Sequence, residues 1–266
     1  MSRSFLSRHA KIDAMRRVNL FLFALFLSFG VAQISIADMR SYIEEGFYAS
    51  AARVNGPSLV AAYPNDPEAH YLYAHALYLT GNYAHAREEL DQAMTLNPPA
   101  DDPDYELLNG LLRATEGNTE GALRSLRNAF IRSQAYDVAV AWGRVAWQAG
   151  DYETALEAYT AATTTEQGAT EAWPWLNQGR MLKALGRYPE AIEAFQNAIR
   201  VFEASDLGVG QPSPGLVEAY FRLGEIYEAL DDPREAKANY DSALGADPNY
   251  VPARAALDRL AGRSSP

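Results

Sequence analysis

The sequence predicts an all-α chain: a right-handed α–α superhelix of about five to six helical hairpins with a C-terminal capping helix. Three observations carry that expectation. Small residues recur as triplets at spacings of 12 and then 7: Ala74, Ala86, Ala93; Gly110, Ala122, Ala129; Gly143, Ala155, Ala162; Gly179, Ala191, Ala198; and Gly224, Ala236, Ala243. A turn signal lies inside each copy, at Gly81, Gly117, Gly150, Gly186 or Asp231-Asp232-Pro233. Apolar residues recur three and four apart, as in Ala191, Ala194, Phe195 and Ala198, with no strand alternation. A hairpin of two short helices cannot bury enough apolar surface alone. Stacked copies can, because small residues let helices approach and bulky ones fill the space beside them.

The first 37 residues stand apart. Arg16 and Arg17 precede an apolar run from Leu20 to Phe29, and small residues follow at Gly30/Ala32 and Ser35/Ala37. That order matches a secretory signal peptide, with cleavage expected after Ala37 and the second choice after Ala32. The competing reading is an uncleaved anchor, since Val18 to Ala37 reaches the ~20 residues that span a bilayer. Asn19 argues against twin-arginine export. Translation from Met15 would give a signal of ordinary proportions.

Residues 38–66 read as a degenerate opening repeat or cap. Gly46, Tyr48 and Ala51 reproduce the offsets of Gly81, Tyr83 and Ala86, and Gly56-Pro57 is expected to break the second helix. Hairpins follow at 67–100, 103–136, 136–169, 172–205 and 217–250. Pro67-Glu68 suits a helix start, and the turn glycines suit helix ends. Asp101-Asp102-Pro103-Asp104 reads as a helix start rather than a cation loop. The glycine- and proline-rich insertion at 206–216 is read as a surface loop that cannot continue a helix, with a functional loop as the alternative. Residues 251–266 supply a polar-backed capping helix and a tail.

Charge and composition limit the chemistry. The net charge is -11, and without residues 1–37 there remain 18 basic and 33 acidic residues, a net -15. Such a body repels nucleic acid and anionic lipid. With no cysteine there is no disulfide or thiol nucleophile. His70 and His75 are five apart and share no metal-ligand spacing with His85. Neither a phosphate loop nor a nucleophile elbow occurs. No cofactor or metal is expected, and no catalytic residue is assigned.

The hairpins resemble the tetratricopeptide repeat family over residues 67–250, and more weakly over 38–66. The resemblance rests on an early aromatic (Trp175, Tyr220), a small residue four later (Gly179, Gly224) and a turn glycine with tyrosine two on (Gly186, Tyr188). Ala191, Phe195 and Ala198 continue it in the second helix, and Pro98 and Pro248 close repeats. Glu106, Ala139 and Thr119 depart from it, and the repeats start 36, 33, 36 and 45 residues apart. The resemblance implies a concave groove lined by first helices: Tyr71, His75 and Tyr78; Leu107 and Leu111; Val140, Arg144 and Trp147; Trp173, Leu176, Arg180 and Lys183; and Phe221, with Glu225 and Glu228 beyond it.

Arg144, Arg180 and Lys183 would form a basic patch attractive to an acidic or carboxylate-bearing peptide. The alternative is that the aromatics pack between repeats and the basic residues pair with nearby acids. The family's carboxylate clamp needs asparagines, and only Asn177 lies near such a place. The expectation is a non-enzymatic scaffold or adaptor of the cell envelope, binding a protein or peptide partner and no nucleic acid. It would be exported across a bacterial-type inner membrane, meeting the membrane only through an uncleaved N-terminal segment. The alternatives are an accessory subunit of an envelope assembly or secretion complex and, from another class, an envelope-polymer enzyme.

Overall fold

A computed structural model of the chain describes residues 34–96, 102–204 and 213–263. Most of the expected signal or anchor and most of the insertion lie outside the described residues. Regular structure among the described residues is entirely helical, and no helix among them is long and apolar enough to cross a membrane. The chain divides into two compact units, Met1–Pro98 and Pro99–Pro266.

The first unit holds α1 (Ile36–Glu44), α2 (Tyr48–Ser50), a π-helical segment (Ala51–Asn55), α3 (Gly56–Ala62), α4 (Pro67–Leu79) and α5 (Tyr83–Thr95). Ser35 caps α1 by accepting from the Asp38 N–H, while the Asp38 carboxylate accepts from the Ser35 N–H. The triplet Ser35-Ile36-Ala37, expected to precede a cleaved bond, is therefore the cap and first two residues of a helix.

Gly56-Pro57 does not break the second helix. Proline removes one N–H and crowds the preceding turn. The chain absorbs this with a π turn, in which the Gly56 N–H reaches back five residues to the Ala51 carbonyl. Glycine at 56 is a packing choice, since a Cβ there would lie 2.0 Å from the Tyr73 ring. His70 is a satisfied core histidine: Nδ1 meets Glu89 at 2.6 Å and Nε2 meets the Pro64 carbonyl at 3.2 Å.

The second unit holds α6 (Pro103–Thr115), α7 (Thr119–Ser133), α8 (Tyr136–Gln148), α9 (Tyr152–Thr164), α10 (Glu166–Thr170), α11 (Ala172–Ala184), α12 (Tyr188–Ala204), α13 (Pro214–Ala229), α14 (Pro233–Ala246) and α15 (Val251–Arg263). Asp102, Asn118, Asp151, Thr165, Ser213 and Asp232 cap helices with their side chains. Each such cap stabilises by ~1 kcal/mol. Asp231 takes the left-handed conformation (φ 59) that Gly186 takes one repeat earlier (φ 73), so the turn survives without glycine.

Two boundaries differ from expectation. The linker after α9 winds into α10, capped by Thr165. The end of the insertion is helix: Ser213 caps α13, which begins at Pro214 rather than Val217. Proline is acceptable in a first turn because its missing N–H would have no helical partner there. Gly215 then lets Phe202 pack where a Cβ would meet the ring at 2.1 Å.

One contact repeats through this unit. Gly110, Gly143, Gly179 and Gly224 each face a bulky side chain sixteen residues on: Leu126, Tyr159, Phe195 and Tyr240. A Cβ at any of the four would come within 2.8 Å of that partner. The glycine thus sets how closely the two helices of a hairpin approach.

Within the second unit, second helices pack between their own first helix and the next, as α9 does between α8 and α11. Among first helices, α6 meets α8 and α11 meets α13 directly, whereas α8 and α11 are joined mainly through α9. First helices therefore line an inner face and second helices an outer one.

Candidate functional site

The inner face of the second unit is built from α8, α11 and α13. Between them lies a cleft of about 360 Å³ lined by Trp147, Tyr152, Arg180, Met181, Lys183, Ala184, Glu218 and Arg222. Trp147 is 48% exposed and Tyr152 40%, so both rings can be reached from solvent.

The cations that line the cleft are all paired. Arg180 grips Glu218 with both prongs of its guanidinium, Nε donating to Oε1 at 2.9 Å and Nη2 to Oε2. Its Nη1 donates to Asn177 Oδ1 at 2.7 Å. Arg222 donates to the same Glu218 at 3.2 Å and to Glu225 at 2.9 Å, and Lys183 meets Glu225 at 3.0 Å. An alternating ladder thus ties α11 to α13. Burial pushes the Glu218 carboxyl up, but the Arg180 hydrogen bond and charge, with Arg222, more than reverse this and hold it below the ordinary carboxylate value.

The expected basic patch is corrected accordingly. Arg180 and Lys183 are neutralised by acids of the next hairpin, and Asn177 serves Arg180 rather than a ligand. Arg144 differs: it is exposed and makes no hydrogen bond or ion pair among the described residues. Arg144 and Arg180 both act on the hydroxyl of Tyr159, whose ring packs on Gly143. Burial nonetheless leaves that tyrosine's pKa raised.

The remaining groove residues divide. Leu176 is 0% exposed and belongs to the core, because α9, α12 and α13 surround α11. Leu107 and Leu111 are half-buried against the cluster around Leu126 and Trp142, and Val140 is half-buried. Phe221 is held between Tyr240 and Tyr250 at 5.6 and 5.5 Å, so it serves the C-terminal packing. Trp173 stays exposed, edge-on to Phe202 at 5.6 Å.

In the first unit Tyr71 is buried rather than groove-facing, and it stacks on His75 at 5.9 Å. Burial lowers the His75 pKa, and Tyr78 packs on Tyr83 at 5.5 Å. No group of three or more His, Asp or Glu side chains among the described residues is placed to hold a metal ion.

Sequence reasoning missed Tyr152, Met181, Glu218 and Arg222. Glu218 was reachable, because it holds the place in its repeat that Trp173 holds in the one before. Arg222 lies one helical turn beyond it.

Family models agree with this architecture. Three of them, each described as tetratricopeptide repeat, match residues 42–112, 107–172 and 170–249. The chain belongs to the tetratricopeptide repeat family. Among curated proteins, the Arabidopsis thaliana protein KINESIN LIGHT CHAIN-RELATED 1 is 32% identical over 117 residues, which cover 42% of this chain. The matched stretch amounts to only 19% of that relative's length.

Among solved structures, YrrB, described as a TPR protein with an unusual peptide-binding site, aligns with a TM-score of 0.62 at 16% identity. The alignment covers 76% of this chain and 97% of YrrB. PilF of Pseudomonas aeruginosa aligns with a TM-score of 0.59 at 15% identity, covering 84% and 95% respectively. These structural likenesses concern the fold. Tetratricopeptide repeats generally mediate protein–protein interaction and are typically non-catalytic.

Proposed function

We propose that this chain is a non-enzymatic scaffold that holds a peptide segment of a partner protein in the inner cleft between α8 and α11. The observation that supports this most is the pair of exposed rings, Trp147 and Tyr152, at a cleft whose cations, Arg180, Lys183 and Arg222, are already paired. Aromatic side chains and arginine are enriched among residues that dominate binding energy. Trp147 and Tyr152 would take an aromatic or aliphatic side chain of the peptide. Arg144, exposed on α8 three residues before Trp147 and without an acid of its own among the described residues, would take a carboxylate.

The reading places the protein in the cell envelope. Its support is the order of Arg16 and Arg17, the apolar run Leu20 to Phe29, and small residues at a cleavage spacing. Cleavage after Ala32 keeps the Ser35 cap of α1, whereas cleavage after Ala37 removes it. Processing after Ala32 is therefore the better fit to a stable first helix.

The test is affinity capture from an envelope extract, comparing the natural chain with a Trp147→Ala, Arg144→Glu double variant. Capture should fall while the helical circular dichroism signal is unchanged. Undiminished capture would rule out this cleft. Mass measurement of the chain recovered from the envelope fraction would locate the cleaved bond.

A further inference from the structure

The outer face of the second unit carries another cleft, independent of the inner one. First helices pack inward and second helices splay, so α9 and α12 leave a strip of α11 uncovered between them. The space is about 530 Å³. Leu156, Leu182 and the half-buried Trp175 form its floor, and Glu153, Glu157, Glu190 and Glu193 stand around it.

These acids are not equivalent. Glu157 is paired with Arg127 at 3.0 Å, and Glu190 with Arg187 at 2.8 Å. Glu153 and Glu193 are exposed and make no ion pair among the described residues, although Glu153 lies in the field of Arg187. The Trp175 indole makes no hydrogen bond among the described residues either. An aromatic ring sharing a cleft with two carboxylates that form no ion pair repels anions and suits cations. A lysine or arginine can lie over the ring face while neighbouring basic residues meet the acids.

We propose that this outer cleft docks a basic peptide segment of a partner protein, with one cationic side chain on Trp175 and two others pairing with Glu153 and Glu193. Sign complementarity selects this occupant. The cleft lining carries four glutamates against the single cation Arg187, so an acidic peptide suited to Arg144 on the inner face is excluded here. Two ligands of opposite sign could then be held on opposite faces of one short stack.

The probe is a fluorescein-labelled nona-arginine peptide, titrated with the full chain at near-physiological salt and read by fluorescence anisotropy. The Glu153→Lys, Glu193→Lys variant should bind about tenfold more weakly, since two exposed ion pairs become repulsions. A control with the same charge change elsewhere, Glu88→Lys with Asp258→Lys, should stay within about twofold, because screening limits distant charges. Trp175→Leu, which keeps the floor apolar, should weaken binding about threefold or more.

Equal weakening by both double variants would show that net charge alone attracts the probe, and would overturn the proposal. So would failure of the natural chain to bind, or an unchanged affinity in both Trp175→Leu and the Glu153, Glu193 variant. Circular dichroism of each variant verifies the fold. Trp147→Ala should leave this titration unchanged, so failure of the inner-cleft reading and failure of this one are distinguishable.

Discussion

The two joints of the inner face, α8 with α11 and α11 with α13, are built from the same repeat and end differently. At α11–α13 the first helices meet directly, and Glu218 and Glu225 lock onto Arg180, Arg222 and Lys183. At α8–α11 the helices are joined mainly through α9, and Arg144, Trp147 and Tyr152 face solvent. The difference shows that a cluster of basic residues in a groove does not by itself mark a ligand site. What matters is whether the next hairpin supplies its own acids. Where it does, the charge is spent on holding the stack together; where it does not, charge and rings remain available.

The largest effect should come from a change inside the hairpins that the two joints connect. Gly143→Val and Gly224→Val place a Cβ 2.8 Å from Tyr159 and 2.4 Å from Tyr240, rings with almost no room to move. Each should lose ~3 kcal/mol of stability in denaturant unfolding. A loss in one hairpin alone would mean that the close approach is not the common rule of the stack.

Next in size is Glu218→Ala, which acts on the closed joint only. It leaves Arg180 and Arg222 without their shared carboxylate and should cost ~1–2 kcal/mol. The open joint has no counterpart to this change: Arg144→Ala should stay within ~0.5 kcal/mol in the same unfolding experiment.

Acid should separate the joints in the same sense. The Glu218 pKa is depressed in the folded chain below its ordinary value of 4.5, so its contribution is fully present above pH 4.5. It is lost as pH falls through the lower, folded value. Unfolding measured from neutral pH downwards should therefore show the natural chain losing its advantage over Glu218→Gln below pH 4.5. An advantage that persists there would sink the ladder as a source of acid sensitivity.

The smallest structural effect should accompany the clearest functional one. Trp147→Ala removes an exposed ring and should leave the unfolding midpoint nearly unchanged. Against a partner peptide identified by capture, it should weaken binding about tenfold, the usual scale for a buried aromatic anchor.

Most of the fold was legible in the chain because it depends on local spacing. The triplets at 12 and 7 mark where helices cross, and the turn glycines, with Asp231 in their place once, mark where helices end. Those rules act within one hairpin, so they survive without knowledge of neighbours. The same local reasoning misjudged Gly56-Pro57 and Pro214-Gly215. A π turn rescues the first, and a serine cap with a Phe202 contact rescues the second.

The candidate site was legible only as a set of positions. The family resemblance, carried along the repeat, implied that Arg144, Trp147, Arg180 and Lys183 lie on the inner face. It could not tell that Glu218 would disarm Arg180, 38 residues away, or that Leu176 would be enclosed on all sides. Spacing within a helix states which way a residue points. Whether it then meets an acid, a core or open water depends on the helix brought beside it, which is a property of the packed stack.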